Sequence, residues 1–107
     1  MSELGAVIDH LAATIASRRG ADPKGSWSAK LIADPRLAGK KLAEEAVEAA
    51  LAAVAADRPA LIAESADVLY HLLALLAACD ISLDSVAAEL RAREGRSGVE
   101  EKAGRKG

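Results

Sequence analysis

The fold of this chain is decided by one stretch of its sequence, Glu64-Ser65-Ala66-Asp67-Val68-Leu69-Tyr70-His71-Leu72-Leu73-Ala74-Leu75-Leu76-Ala77-Ala78-Cys79. From Ala66 onwards, only Asp67 and His71 are neither apolar nor aromatic. A helix that is apolar on every side is typically buried, and an ionised carboxylate is costly to bury without a cation or a hydrogen-bond partner. We therefore expect a buried helix whose carboxylates meet a cation, with Asp67 deeper among apolar residues than Glu64.

A second acidic cluster, Glu44-Glu45-Ala46-Val47-Glu48, ends sixteen residues before Glu64. The break between the two helices, Asp57-Arg58-Pro59, is so short that the helices must run antiparallel. Residues three or four apart share a helix face, so carboxylates of both clusters can converge. Basic residues nearby are too few to neutralise them, whereas a divalent metal would, and oxygen ligands favour Mg²⁺ or Mn²⁺ over Zn²⁺.

The acidic residues have two other possible interpretations. The first cluster alone is also typical of an exposed helical face, and Glu64 suits the first turn of a helix. A ferritin-like di-iron site would need a histidine three residues after a glutamate, and neither His10 nor His71 stands there.

The composition predicts an all-α fold. Ala occurs 26 times in 107 residues, Phe is absent, and Trp27 and Tyr70 are the only aromatic residues. Ala is the strongest helix former, whereas β-branched and aromatic residues favour strands. Because small side chains bury little area, we expect an antiparallel helical bundle completed by oligomerisation, as a homodimer or larger.

The helical pattern covers residues 1–93, which we take as one domain. The predicted helices run from about Ser2 to Ser17, from Trp27 as a short turn, from Pro35 to about Ala56, from Pro59 to Cys79, and from Leu83 to about Arg93, with Asp34 and Ser82 as N-caps. Residues 94–107 form a charged, glycine-rich tail that is expected to be flexible.

Charge and hydropathy bound the location and the partners. A net charge of -2 and a pI near 5.7 favour neither nucleic acid nor an anionic membrane as partner. Glu3 and Asp9 interrupt the first helix, so it is no secretion signal, and the apolar run from Val68 to Cys79 is short for a membrane span. We expect a cytoplasmic protein, with Cys79 in the core.

The sequence resembles a known enzyme family. The pattern Glu-Glu-x-x-Glu followed by Glu-x-x-Asp is similar to that of the all-α nucleoside-triphosphate pyrophosphatases of the MazG-like superfamily. Four segments in colinear order resemble phosphoribosyl-ATP pyrophosphohydrolase more closely: residues 25–31, 40–48, 64–73 and 97–103. The family usually has Tyr-Thr where Trp27-Ser28 stands.

The resemblance implies Mg²⁺-dependent hydrolysis of phosphoribosyl-ATP to phosphoribosyl-AMP and pyrophosphate, the second step of histidine biosynthesis. It implies a helical, oligomeric fold and metal ligation by Glu45, Glu48, Glu64 and Asp67. One of Glu45 and Glu48 is then expected to activate the attacking water. Glu44 is expected either behind the metal ligands, in contact with one of them, or at the rim of the site.

Other residues near the acidic clusters are candidates for substrate contacts. Lys30, Lys40 and Lys41 could hold phosphates, and Trp27 could stack on the adenine or fill the core. His71 could orient Asp67 or be a buried histidine, and Tyr70 could pack or donate a hydrogen bond. The tail could fold over bound phosphates.

Two alternative functions remain open from the residues. One is a house-cleaning pyrophosphatase that hydrolyses free nucleotides such as dUTP or dCTP with the same metal chemistry. The other is a non-catalytic helical dimerisation module, which would show no stabilisation by Mg²⁺.

Overall fold

The computed structural model describes residues 2–95, and within that range the chain is helical with no strand. The predicted all-α architecture is confirmed. Its helices are α1 (Leu4–Ala16), α2 (Trp27–Ala33), α3 (Pro35–Val54), α4 (Arg58–Ala78) and α5 (Leu83–Arg93). Each begins and ends within two residues of the predicted bounds, and residues 96–107, most of the predicted tail, lie outside the described part.

Helix α4 is the centre of the fold, because α1, α2 and α3 all pack against it. The most extensive contact joins α4 to α3, its antiparallel neighbour. A small core forms where α1, α2, the start of α3 and the C-terminal half of α4 meet; it comprises Ile15, Leu31, Ile32, Ala38, Leu73 and Ala74. Helix α2 therefore lies beside the two long helices, with Leu31 and Ile32 buried against them.

The turn between α3 and α4 aligns the two acidic clusters. Helix α3 ends with the two hydrogen bonds of a Schellman motif, from Ala56 N–H to Ala53 O at 3.1 Å and from Asp57 N–H to Ala52 O at 3.0 Å. Asp57 then caps α4, since its carboxylate accepts a hydrogen bond from Ala60 N–H at 3.1 Å. One residue thus both closes α3 and opens α4, which keeps the helices antiparallel.

The other helix starts follow the same capping chemistry. The predicted N-caps are confirmed: Asp34 accepts from Leu37 N–H at 3.2 Å, and Ser82 accepts from Ser85 N–H at 3.2 Å. Ser26, which was not predicted as a cap, accepts from Ala29 N–H at 3.1 Å and starts α2. A seven-residue helix is marginal by itself, so its cap and its packing hold it in place.

The expected burial of the apolar segment from Ala66 to Cys79 was wrong at its N-terminal end. His71, Leu73 and Ala74 are buried, but Ala66 and Asp67 are exposed, as is Ile62 one turn earlier on α4, at 70%. The reason is that α1 and α2 cover the C-terminal half of α4, where the core residues lie. Cys79 is also exposed rather than in the core, because it is the C-cap at which the chain leaves the helix.

Within the described residues, α4 is the one helix long and apolar enough to meet a length-and-composition criterion for a membrane span. Its most apolar window has a mean hydropathy of 1.6, and 17% of that window is buried inside the chain. A helix covered by other protein meets the same criterion.

Candidate metal and active site

Three of the predicted site carboxylates converge between α3 and α4. Glu45, Glu48 and Glu64 each offer an oxygen atom, and these oxygens all lie within 4.8 Å of one another. Glu45 and Glu48 are one turn apart on α3, and Glu64 faces them from α4. We name Glu45, Glu48 and Glu64 the acidic triad. Three carboxylates at this distance repel one another unless a proton or a cation lies between them.

Glu64 is the most perturbed member of the acidic triad. A hydrogen bond that its protonated form shares with Glu45, its burial, and the neighbouring Glu48 raise the pKa of Glu64 from its ordinary 4.5 to about 7. Its Oε2 atom is inaccessible and makes no hydrogen bond, and no other buried side-chain nitrogen or oxygen in residues 2–95 lacks a partner. A buried carboxylate oxygen without a donor, beside two further carboxylates, is the arrangement that a cation would satisfy.

Asp67 lies outside the acidic triad. It was expected to be more enclosed than Glu64, but its side chain is exposed while Glu64 is half-buried. Its position one turn after Glu64 places it on the adjoining part of the same helix face. The expected group of four carboxylates is therefore a close group of three with Asp67 beside it.

The lysines before the first cluster contact Glu44. Lys41 Nζ lies 3.1 Å from Glu44 Oε2, and Lys40 Nζ lies 4.0 Å from Glu44 Oε1. Glu44 thus contacts two cations of its own helix and is not a member of the acidic triad, and its place at the rim of the site stays a prediction. By its spacing in the sequence, Lys41 lies on the same helix face as Glu45 and Glu48, but its ammonium group pairs with Glu44.

Two consecutive residues of α2 contact two consecutive residues of α4. Trp27 Nε1–H donates to His71 Nε2 at 3.3 Å, and the Ser28 and Tyr70 hydroxyl groups lie 2.6 Å apart. Lys30 Nζ lies 5.7 Å from the centre of the Trp27 ring. Sequence reasoning did not predict the Ser28–Tyr70 contact, because nothing in a sequence pairs residues 42 positions apart.

Known proteins match this chain over the residues that form the site. The sequence model of the family described as phosphoribosyl-ATP pyrophosphohydrolase matches residues 8–94. A protein of Caulobacter sp. (strain K31) named phosphoribosyl-ATP pyrophosphatase is 60% identical over 105 residues, which cover 98% of each chain.

Further relatives carry the same name. The protein of Caulobacter vibrioides (strain NA1000 / CB15N) is 62% identical over 99 residues, or 92% of each chain. That of Paracoccus denitrificans (strain Pd 1222) is 58% identical over 100 residues, or 92% of this chain and 93% of the relative. These matches span the acidic triad and the helices that position it, and the chain belongs to the phosphoribosyl-ATP pyrophosphohydrolase family.

Proposed function

We propose that this chain hydrolyses phosphoribosyl-ATP to phosphoribosyl-AMP and pyrophosphate, in the second step of histidine biosynthesis, with Mg²⁺ held by Glu45, Glu48, Glu64 and Asp67. Membership of the family supports the reaction. The observation that carries the metal site is the acidic triad, with its oxygens within 4.8 Å.

The donor set fits Mg²⁺. Mg²⁺ prefers carboxylate oxygens as ligands, and the acidic triad offers three of them within 4.8 Å of one another. Zn²⁺ would favour cysteine or histidine ligands, and the triad contains neither. The unpartnered Oε2 of Glu64 would be one ligand atom, and Asp67 would join the set from the same face of α4.

The reaction places separate demands on the protein and on the metal. When bound, Mg²⁺ supplies neutralisation of the triphosphate charge and activation of a water molecule. The protein supplies the base: one of Glu45 and Glu48 accepts the proton of the water as its oxygen bonds to phosphorus. The bond between the α- and β-phosphates breaks, and pyrophosphate leaves.

The remaining contacts bind the substrate. Lys40 and Lys41 precede Glu45 on α3 and Lys30 lies on the preceding helix α2, and we assign these three lysines to the phosphates. Lys40 and Lys41 already lie at Glu44, which keeps them at the rim of the triad. Trp27 is 40% exposed, so part of its ring is accessible to the adenine.

We also propose that the enzyme is a cytoplasmic homodimer or larger homo-oligomer. Large apolar side chains are exposed on the paired helices: Val47, Leu51 and Val54 of α3 and Ile62 of α4. We name these four residues the apolar face. Lipid is a poor cover for it, because the same helices carry Glu45, Glu48, Glu64 and Asp67. A second copy of the chain would bury this surface without exposing those carboxylates to hydrocarbon.

Pyrophosphate release tests the proposed activity. Phosphoribosyl-ATP, dUTP, dCTP and ATP are each incubated with the protein, with Mg²⁺ or with EDTA. We expect Mg²⁺-dependent turnover of phosphoribosyl-ATP above that of the free nucleotides. Turnover of the free nucleotides alone would overturn the substrate and keep the metal site, as a house-cleaning enzyme requires. No turnover and no effect of Mg²⁺ on melting would leave a helical dimerisation module.

A further inference from the structure

The contact between α2 and α4 is polar as well as apolar. Helix α2 buries Leu31 and Ile32 in the core, but its first two side chains make hydrogen bonds to α4. The Ser28–Tyr70 distance of 2.6 Å is that of a strong hydroxyl pair. We name Trp27, Ser28, Tyr70 and His71 the latch.

The latch requires His71 to be a neutral imidazole with its proton on Nδ1. Its Nε2 atom faces the Trp27 indole N–H, a group that can only donate, so Nε2 must be the acceptor. Its Nδ1 atom lies 2.8 Å from the backbone oxygen of Asp67, which can only accept, so Nδ1 carries the proton. Both contacts select the same tautomer. Each ring nitrogen of His71 therefore has a hydrogen-bond partner, and the residue is only 7% exposed.

The latch fixes the orientation of the Trp27 ring. The His71 ring stands edge-on to Trp27 at a centroid distance of 6.3 Å and edge-on to Tyr70 at 5.0 Å. With its N–H bound to His71, the indole cannot rotate freely, so the ammonium group of Lys30 lies over a ring in a defined position. Lys30 forms no ion pair with any residue of the described range 2–95, which leaves its charge available for an anion.

Through Trp27, the latch joins Lys30 to the helix face that carries the acidic residues of α4. Glu64, Asp67 and His71 are spaced three and four apart, so they follow one stripe along α4. Seven residues at 1.5 Å each put His71 about 10 Å along the helix from Glu64. A cation attached to this end of the stripe can meet phosphate oxygens of a nucleotide whose other phosphates lie at the acidic triad.

We propose that the latch residues are positioning residues that hold Lys30 for the phosphate chain of the substrate. Trp27 then acts mainly through Lys30, with its ring as the support for the ammonium group. This inference rests on the proposed function for the identity of the substrate, but not for the anion-binding role of Lys30.

Kinetics of single and combined variants test the latch. Trp27→Phe keeps an aromatic ring and removes the indole N–H, and Tyr70→Phe and Ser28→Ala each remove one hydroxyl. Loss of one hydrogen bond is expected to raise KM for phosphoribosyl-ATP by up to about tenfold, with kcat nearly unchanged. Lys30→Met is expected to raise KM at least as much, and adding Trp27→Phe to Lys30→Met should cost nothing further. Ser85→Ala, which breaks the Ser82–Ser85 hydroxyl contact of 3.0 Å on α5, is the matched control.

A binding measurement separates this inference from the proposed function. Trp27 is the only tryptophan, so its fluorescence reports on the latch alone. Inorganic tripolyphosphate with Mg²⁺ is expected to change the emission of the wild type and not that of Lys30→Met, whether or not phosphoribosyl-ATP is hydrolysed. An unchanged KM in Trp27→Phe and Tyr70→Phe, or a full additional loss in the Lys30→Met background, would show that the latch only packs α2 and would overturn the proposal.

Discussion

At the scale of single residues, Glu64 is the most perturbed carboxylate of the acidic triad. Its side chain faces Glu45 and Glu48 from the opposite helix, and its Oε2 atom is inaccessible and without a donor. A structure selected for stability alone would place an amide or an apolar side chain there. Under the proposed function this unfavourable contact has a use, because three negative oxygens at one place would bind a divalent cation.

The first prediction concerns removal of this charge. Glu64→Gln keeps the shape of the side chain but removes one metal ligand, so Mg²⁺-dependent turnover should fall by about 100-fold or more. The metal-free variant should melt at a higher temperature than the metal-free wild type at pH 8, because repulsion within the acidic triad is lower. Glu3→Gln, an exposed residue before α1, is the control for both measurements. Equal stabilisation of Glu64→Gln and wild type by Mg²⁺ would contradict the assignment.

The second prediction is a pH dependence of stability. The pKa of Glu64 is raised from 4.5 to about 7, so between these values the folded protein holds a proton that the unfolded chain releases. The contribution is present in full below pH 4.5 and is lost as pH rises through 7. In EDTA, the melting temperature of wild type should therefore decline from pH 5 to pH 8 more steeply than that of Glu64→Gln.

Magnesium should reduce this pH dependence at the upper end. The ion binds the ionised carboxylates, so its binding near pH 7 should release protons, which calorimetry in buffers of different ionisation enthalpy measures. Identical slopes for wild type and Glu64→Gln in EDTA would show that Glu64 ionises normally.

At the scale of helices, the α3–α4 turn sets which carboxylates face each other. The Schellman motif at the end of α3 requires a left-handed residue, and Ala56 takes that conformation with φ of 57°. Glycine is the usual residue there, since a Cβ atom is unfavourable at positive φ. Helix α4 ends with the same motif: Asp80 has a φ of 56°, and Ile81 N–H donates to Leu76 O at 2.9 Å.

The third prediction follows from this conformation. Ala56→Gly should raise the free energy of unfolding by about 1 kcal/mol, because the strain at positive φ is removed. Ala55→Gly is the matched control: its φ is -77°, so the added backbone freedom should lower stability by about 0.5–1 kcal/mol. Denaturant unfolding measures both. A loss of stability in Ala56→Gly would show that the turn does not have this conformation.

At the scale of the whole molecule, the described part of the chain has a small hydrophobic core. Few of its side chains are fully buried, and the largest of these are Ile15 and Leu31. The apolar face is left uncovered along the two longest helices, with Val54 85% exposed. Burial of this face in an oligomer would add the area that the alanine-rich core lacks.

The fourth prediction is that a charge on the apolar face separates the subunits. Leu51→Glu should shift the molar mass from light scattering from that of an oligomer toward 11.0 kDa and lower the melting temperature. Leu90→Glu is the control, because Leu90 on α5 is 64% exposed and Leu51 is 62% exposed. A wild-type molar mass of 11.0 kDa would show that the chain is a monomer and that the apolar face has another role.

The sequence by itself determined the helices, the order in which they follow one another, and the family. Alanine content, proline and aspartate at helix starts, and a three-residue break set helix bounds through local interactions, which act between residues close in sequence. The short break between α3 and α4 indicated that Glu45 and Glu48 could meet Glu64, because it forces the two helices to run antiparallel.

Only the tertiary structure decided which side chains meet. Packing of α1 and α2 on one half of α4 enclosed His71 and left Ile62 exposed, although both belong to the same apolar helix. The pairing of α3 with α4 set Glu64 inside and Asp67 outside the acidic triad. The pairing of α2 with α4 joined Ser28 to Tyr70 across 42 residues. Burial and long-range pairing depend on how helices are placed relative to one another, and helix periodicity alone does not specify that placement.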